Sequence, residues 1–148
     1  MVIDTTSDGS TFDASDWPFF WLTHASGLYV SRLETRLKKV GLDVPRWRVL
    51  MCIRPGEACS VSEISHLAII KLPTTMKLVQ RMASEGLVQC RARESDGRVT
   101  EVSLTGAGEQ ARKLAWQTAA KIFAKVFPGG VRQDVAKLNS LLQSMVER

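Results

Sequence analysis

Apolar positions recur at two different periods along the chain, and the change from one to the other divides it. Between Trp17 and Val40 they fall at helical spacing in two stripes. Leu22, Ser26, Tyr29, Leu33, Leu37 and Val40 make one; Trp17, Phe20, Trp21, His24 and Leu28 make the other. Ser15 is placed to cap this helix, Asp16 and Pro18 suit its first turn, and Gly41 stops it. A helix with two apolar faces needs two partners, so one face meets the core and the other a cavity or a second subunit.

After the punctuation Leu42-Asp43-Val44-Pro45, the run RWRVLMCI predicts a short buried helix ending at Arg54-Pro55-Gly56. Ser60 with Glu63 three residues on is a capping box for the next helix, 60-SVSEISHLA-68. A third begins after Leu72, with Pro73 in its first turn, and ends at Gly86 as a left-handed cap. Its spacing turns Leu78, Val79 and Met82 inward and leaves Thr74, Thr75, Lys77, Gln80 and Arg81 outside. From Leu87 to Leu104 the period falls to two: LVQCRAR and VTEVSL read as strands, and the Asp96-Gly97 pair between them reads as a hairpin turn. Thr105 then caps a long helix through Ala111, Leu114, Thr118, Ile122 and Val126, interrupted at Pro128-Gly129-Gly130. A last helix carries Val131, Val135, Leu138, Leu142 and Met145 on one stripe.

The chain has 148 residues, enough for one domain with a sizeable core. No run approaches the eighteen apolar residues of a membrane span, and the acidic, polar start does not read as a signal peptide, so the expectation is a cytoplasmic protein. Residues 1–16 hold four aspartates and one aromatic and read as a flexible acidic arm. Cys52, Cys59 and Cys90 are odd in number and lack a Cys-x-x-Cys pair, which favours reduced structural thiols over a redox switch or metal site.

Charge locates the candidate function. The formal net charge is +5, distributed as −2 over residues 1–45 (four basic, six acidic), +4 over 46–115 (eleven, seven) and +3 over 116–148 (five, two). A basic middle is the footprint of a nucleic-acid binder, although a solvated basic surface looks similar. The element order helix, helix, helix, hairpin resolves this, because it is a winged helix-turn-helix: mainly α with a small β-hairpin wing. Its second paired helix can lie in the major groove of double-stranded DNA while the hairpin reaches the minor groove. The run 71-KLPTTMKLVQR-81 has no carboxylate, unlike an ordinary solvent face. Candidate DNA-binding residues are Ser60, Thr74, Thr75, Lys77, Gln80 and Arg81, with Arg91, Arg93 and Arg98 on the hairpin; Arg81 could instead hold an internal ion pair.

The segment 86-GLVQCRARESDGRVTEVSLTGAGEQ-110 resembles the wing of the MarR-type transcriptional regulators in Gly86-Leu87-Val88, Asp96-Gly97-Arg98 and Val102 through Gly108. Pro73-Thr74, Leu78 through Met82, and Trp47 through Leu50 fit the same pattern upstream. The resemblance implies a homodimer of winged domains on a pseudo-palindromic site, usually repressing, and released by a small molecule such as a phenolic or aromatic acid. It divides the chain into the arm, a helical dimerisation region at 17–43 and 105–148, and a DNA-binding domain at 44–104. One departure is that Gly97 stands where the family often has a first arginine, leaving Arg98 alone and Asp96 as a turn-capping or salt-bridge residue.

An aromatic acid, or its thioester, needs aromatic walls and a charged anchor. Trp17, Phe20, Trp21 and His24 on the first helix and Arg46, Trp47 and Arg48 on the second supply both types; helical phase leaves open which arginine points inward. The other reading is a packed aromatic core with no effector. A census of motifs finds no phosphate loop, metal-ligand pair, cofactor fingerprint or catalytic carboxylate pair, so the chain reads as no enzyme. A cysteine-based redox-sensing repressor and a protein-interaction winged helix are the rival readings.

Overall fold

The computed structural model describes residues 6, 8–10, 12–128 and 132–147. Most of the expected acidic arm's first residues, and Val131 of the expected last stripe, lie outside them. The Asp13 carboxylate accepts the Ser15 N–H and opens a 3-10 turn at Ala14–Asp16. Helix α1 (Pro18–Lys38) therefore starts after the expected Ser15 cap, with Trp17 at the N-cap and Pro18 in the first turn. Helix α2 (Val44–Cys52) follows, capped by Asp43, whose carboxylate accepts the Arg46 N–H at 2.8 Å.

Three short strands form one sheet in the order β1-β3-β2, antiparallel throughout. Strand β1 (Ala58–Ser60) pairs with β3 (Asp96–Leu104) through Ala58 opposite Ser103. Its three residues are too few for a two-residue period to stand out in sequence. Strand β2 (Val88–Arg93) pairs β3 from Val88 opposite Leu104 to Ala92 opposite Thr100; the register then shifts and Arg93 faces Asp96. The wing consequently turns at Glu94-Ser95, and Asp96-Gly97 belongs to β3 instead of forming the expected turn.

Helix α3 (Val61–Ala68) opens on the predicted capping box: Ser60 Oγ accepts the Glu63 N–H, and the Glu63 carboxylate accepts the Ser60 N–H at 2.7 Å. It ends at Ile69 with φ 55 and ψ 50, a left-handed conformation that a β-branched side chain adopts only under strain. Helix α4 (Leu72–Ser84) follows and stops before Gly86, whose φ of 75 fits the predicted left-handed cap. Helix α5 (Gly106–Val126) is capped by Thr105, whose hydroxyl accepts the Gly108 N–H and donates to Gly86 O at 2.6 Å. Helix α6 (Arg132–Val146) completes the chain.

The core joins both halves. Leu33 and Leu37 of α1, Val49 and Leu50 of α2, Ile64 of α3, Val79 and Met82 of α4, Val102 of β3 and Ile122 of α5 are buried in one cluster. Each large aliphatic side chain contributes about 1.5–3 kcal/mol by burial. The other predicted stripe is left uncovered: Trp21 and Leu28 on α1 are more than half exposed, as is Leu141 on α6, beside a partly exposed Leu138 and Met145. No helix among the described residues is long and apolar enough to cross a membrane.

Candidate functional site

Helix α4 presents two unlike faces. Val79 and Met82 point into the core, and Thr74, Lys77 and Gln80 are exposed, with no carboxylate on the helix itself. Thr75 corrects the sequence reading. It is fully buried, four residues before Val79 on the same face, and its hydroxyl donates to the carbonyls of Ile70 and Lys71 at 3.2 Å. Its side chain ties the interhelical turn together and is closed to DNA. Ser60 is likewise buried, its hydroxyl engaged with Glu63 at 2.8 Å, so its role is the helix cap.

Arg81 meets Glu85 at 3.2 Å, the internal ion pair that the sequence left open. On the wing, Arg91 is exposed beside Gln89, whereas Arg93 is bound to Glu101 at 2.7 Å across the strands. Arg98 is 93% exposed at its side chain and forms an ion pair with Asp96 on the same strand. The Asp96 carboxylate accepts the Arg98 backbone N–H at 3.1 Å and the guanidinium Nε at 3.2 Å, a turn-capping contact that aims the arginine.

Arg46 lies at the junction of α2 and α4, held between a carboxylate from each side. Its side chain is only 12% exposed, and the guanidinium bridges Asp43 at the start of α2 and Glu85 just past the end of α4, with Nε 2.9 Å from Glu85. The hydrogen bond from Arg46 holds the Glu85 carboxyl below the usual carboxylate range, and Arg81 adds to it. A carboxyl depressed in the folded state stabilises the fold above that range and loses its contribution as pH falls through the folded value. Arg46→Ala should therefore lower the melting temperature at pH 7 and narrow its gap to wild type at pH 3, in parallel thermal scans.

A cavity of about 880 Å³ opens between α1, α2 and α5. Its walls are Leu28, Tyr29, Trp47, Trp116 and Phe123, with Arg32 supplying a guanidinium. Among the described residues Arg32 makes no ion pair, and the buried Trp47 indole N–H has no acceptor. Of the seven candidate effector residues only Trp47 lines it. Trp17, Phe20, Trp21 and His24 lie nearer the start of α1, about one to three turns before Leu28, where Phe20 stacks on His24 at 4.1 Å and the His24 ring nitrogen Nδ1 bonds Phe20 O. Arg48 lies on the opposite side of α2, in a second cavity. The residues that sequence reasoning missed, Tyr29, Arg32, Trp116 and Phe123, carry one signal: Tyr29 and Arg32 continue the helical face of Ala25 and Leu28.

The three thiols are poor redox candidates. Burial, reinforced by the Glu63 charge, pushes Cys59 up to about 11, and burial raises Cys52 and Cys90. A protonated thiol is a weak nucleophile toward oxidants.

A carboxylate-free helix face beside an arginine-tipped hairpin defines a winged helix-turn-helix DNA-binding protein. The MarR family model matches residues 42–100. The chain is 41% identical over 140 residues to the HTH-type transcriptional repressor IacR of Pseudomonas putida, spanning 95% of this chain and 83% of that one. The chain belongs to the MarR family and is a transcriptional repressor of that family. Its fold is also that of CouR from Rhodococcus jostii RHA1 bound to p-coumaroyl-CoA (TM-score 0.81, 22% identity, 90% of this chain and 94% of that one). It matches Bordetella bronchiseptica BpsR, whose DNA binding is regulated by 6-hydroxynicotinic acid, at TM-score 0.79 and 20% identity over 93% and 98% of the two chains.

Proposed function

We propose that this repressor leaves its operator when a small aromatic acid occupies the cavity between α1, α2 and α5. The observation that carries this is the pairing of aromatic walls with Arg32, which makes no ion pair among the described residues, in one space of about 880 Å³. A guanidinium of this kind supplies the charge-assisted hydrogen bonds that a ligand carboxylate needs. The p-coumaroyl-CoA bound by CouR and the 6-hydroxynicotinic acid that regulates DNA binding of BpsR support the same class. Free acid and thioester share that aromatic body.

Residues 44–104 form the DNA-binding unit on this reading, with Thr74, Lys77 and Gln80 toward the major groove and Arg91 and Arg98 toward the minor groove. Arg81, Arg93 and Arg98 each contribute charge partly offset by an ion pair, with Glu85, Glu101 and Asp96. The segments 17–43 and 105–148 form the dimerisation region, in which the uncovered stripes of α1 and α6 meet a second copy and each protomer reads half of a pseudo-palindrome. The protein works in the cytoplasm, by binding and without catalysis.

Calorimetric titration with 4-hydroxycinnamate and benzoate tests the effector. At least one should bind, and Arg32→Ala should weaken it about tenfold, the loss of one charge-assisted contact. No binding by either compound, or an Arg32→Ala affinity within twofold of wild type, contradicts the proposal.

A further inference from the structure

A second cavity, of about 580 Å³, lies on the opposite side of Trp47, between α2, the end of α3 and the start of α5. Its lining combines two chemistries. Met51, Leu67 and Ile69 give it an apolar wall and rim, and Arg48, Arg54 and Arg112 give it three guanidiniums with no carboxylate among the lining residues. Arg54 is largely exposed and has Glu57 at 3.9 Å, but Arg48 and Arg112 make no ion pair among the described residues. Arg112 is fixed in place by donating to Leu50 O at 3.2 Å, and it and Arg48 are both half-buried. Two partly desolvated cations without counter-ions raise the local potential where water screens least.

The rim is also unusual. Leu67 is 60% exposed, and Ile69 is 86% exposed in a left-handed conformation that glycine or asparagine would hold with less strain. Ile69 covers little of the chain's own core, so its apolar side chain at the mouth has no folding role to offset that strain.

We propose that this cavity binds an amphipathic organic anion, its flat or branched apolar body against Met51, Leu67 and Ile69 and its acidic head on Arg48 and Arg112. It is a site separate from the effector cavity, since Trp47 alone lines both. Its rim belongs to the turn between α3 and α4, where Ile70 O accepts hydroxyls from Ser65 at 2.7 Å and Thr75 at 3.2 Å. An occupant therefore contacts the segment that sets the angle of α4.

The probe is 8-anilinonaphthalene-1-sulfonate, an aromatic monoanion, titrated by fluorescence against the full chain, R48E and R32A. Wild type should show an Arg48-dependent class of sites that R48E weakens at least tenfold and that R32A leaves intact. Leu67→Ser, which keeps the arginines, should weaken the same class, and circular dichroism confirms that each variant is folded. Isotherms of wild type and R48E that superimpose would overturn the proposal, as would loss of all binding in R32A. An affinity unchanged when the sulfonate is replaced by its neutral parent, N-phenyl-1-naphthylamine, would also overturn it.

Discussion

Gly108→Ala should destabilise the protein by about 2 kcal/mol, although helix propensity alone predicts the opposite sign. Gly108 lies in the first turn of α5, and an alanine there would gain up to about 1 kcal/mol of intrinsic propensity. A Cβ built at Gly108, however, comes within 1.9 Å of the Leu87 carbonyl oxygen and 3.4 Å of the Leu104 side chain. Leu87 O cannot retreat freely, because it accepts the Thr105 N–H at 3.1 Å at the point where the wing returns to α5. Overpacking against backbone costs typically 1–3 kcal/mol and sometimes more, which outweighs the propensity gain. For a chain of this size the melting temperature should fall by roughly 5–10 °C. Gly106→Ala is the control: a Cβ there meets nothing within 4 Å, so that variant should melt at or above the wild-type temperature. A Gly108→Ala protein as stable as Gly106→Ala would show that α5 does not pack on the wing as described.

Lys77→Glu should weaken DNA binding at least about 100-fold, because it places a carboxylate on the exposed face of a helix that has none. Reversing a charge removes an attraction and adds a repulsion toward phosphates, together several kcal/mol at a desolvated contact. Lys77 is exposed, so its replacement leaves the core intact and the melting temperature should hardly move. Thr75→Val separates the two faces. It deletes a buried hydroxyl bonded to Ile70 O and Lys71 O, so stability should fall by roughly 1 kcal/mol while operator affinity remains within about threefold. Fluorescence anisotropy on labelled duplex and a thermal scan measure the pair. Equal losses of affinity in both variants would mean that the face assignment is wrong.

How far the sequence reached depends on how local each determinant is. The Ser60 and Glu63 capping box, the Thr105 cap and the left-handed Gly86 are set by contacts within a few residues, and each was readable from residue type and spacing. Strand β1 and the wing turn were not, because the first exists only through β3 and the second is displaced by a register shift that places Arg93 opposite Asp96 and beside Glu101. Thr75 reads as polar by type, but its spacing to Val79 and Met82 is that of the buried face. The residues proposed to face DNA divide by burial: Thr74, Lys77, Gln80, Arg91 and Arg98 are exposed, whereas Ser60 and Thr75 are internal. The cavity was least legible. Trp17, Phe20, Trp21 and His24 share residue types with a ring-binding wall, yet the tertiary crossing of α1 with α5 puts the cavity further along the helix, at Leu28, Tyr29 and Arg32. Arg46 was similarly claimed by a partner 39 residues away, Glu85, which no local pattern announces.

Sequence-specific DNA binding is proposed for α4 and the wing together. Anisotropy of the full chain on the duplex flanking its own gene, beside a scrambled duplex of equal length, tests it most directly across a series of salt concentrations. Binding to the native duplex should be at least about 1,000-fold tighter, and affinity for both should fall steeply with salt. Equal affinity for the two duplexes at every salt concentration would contradict it.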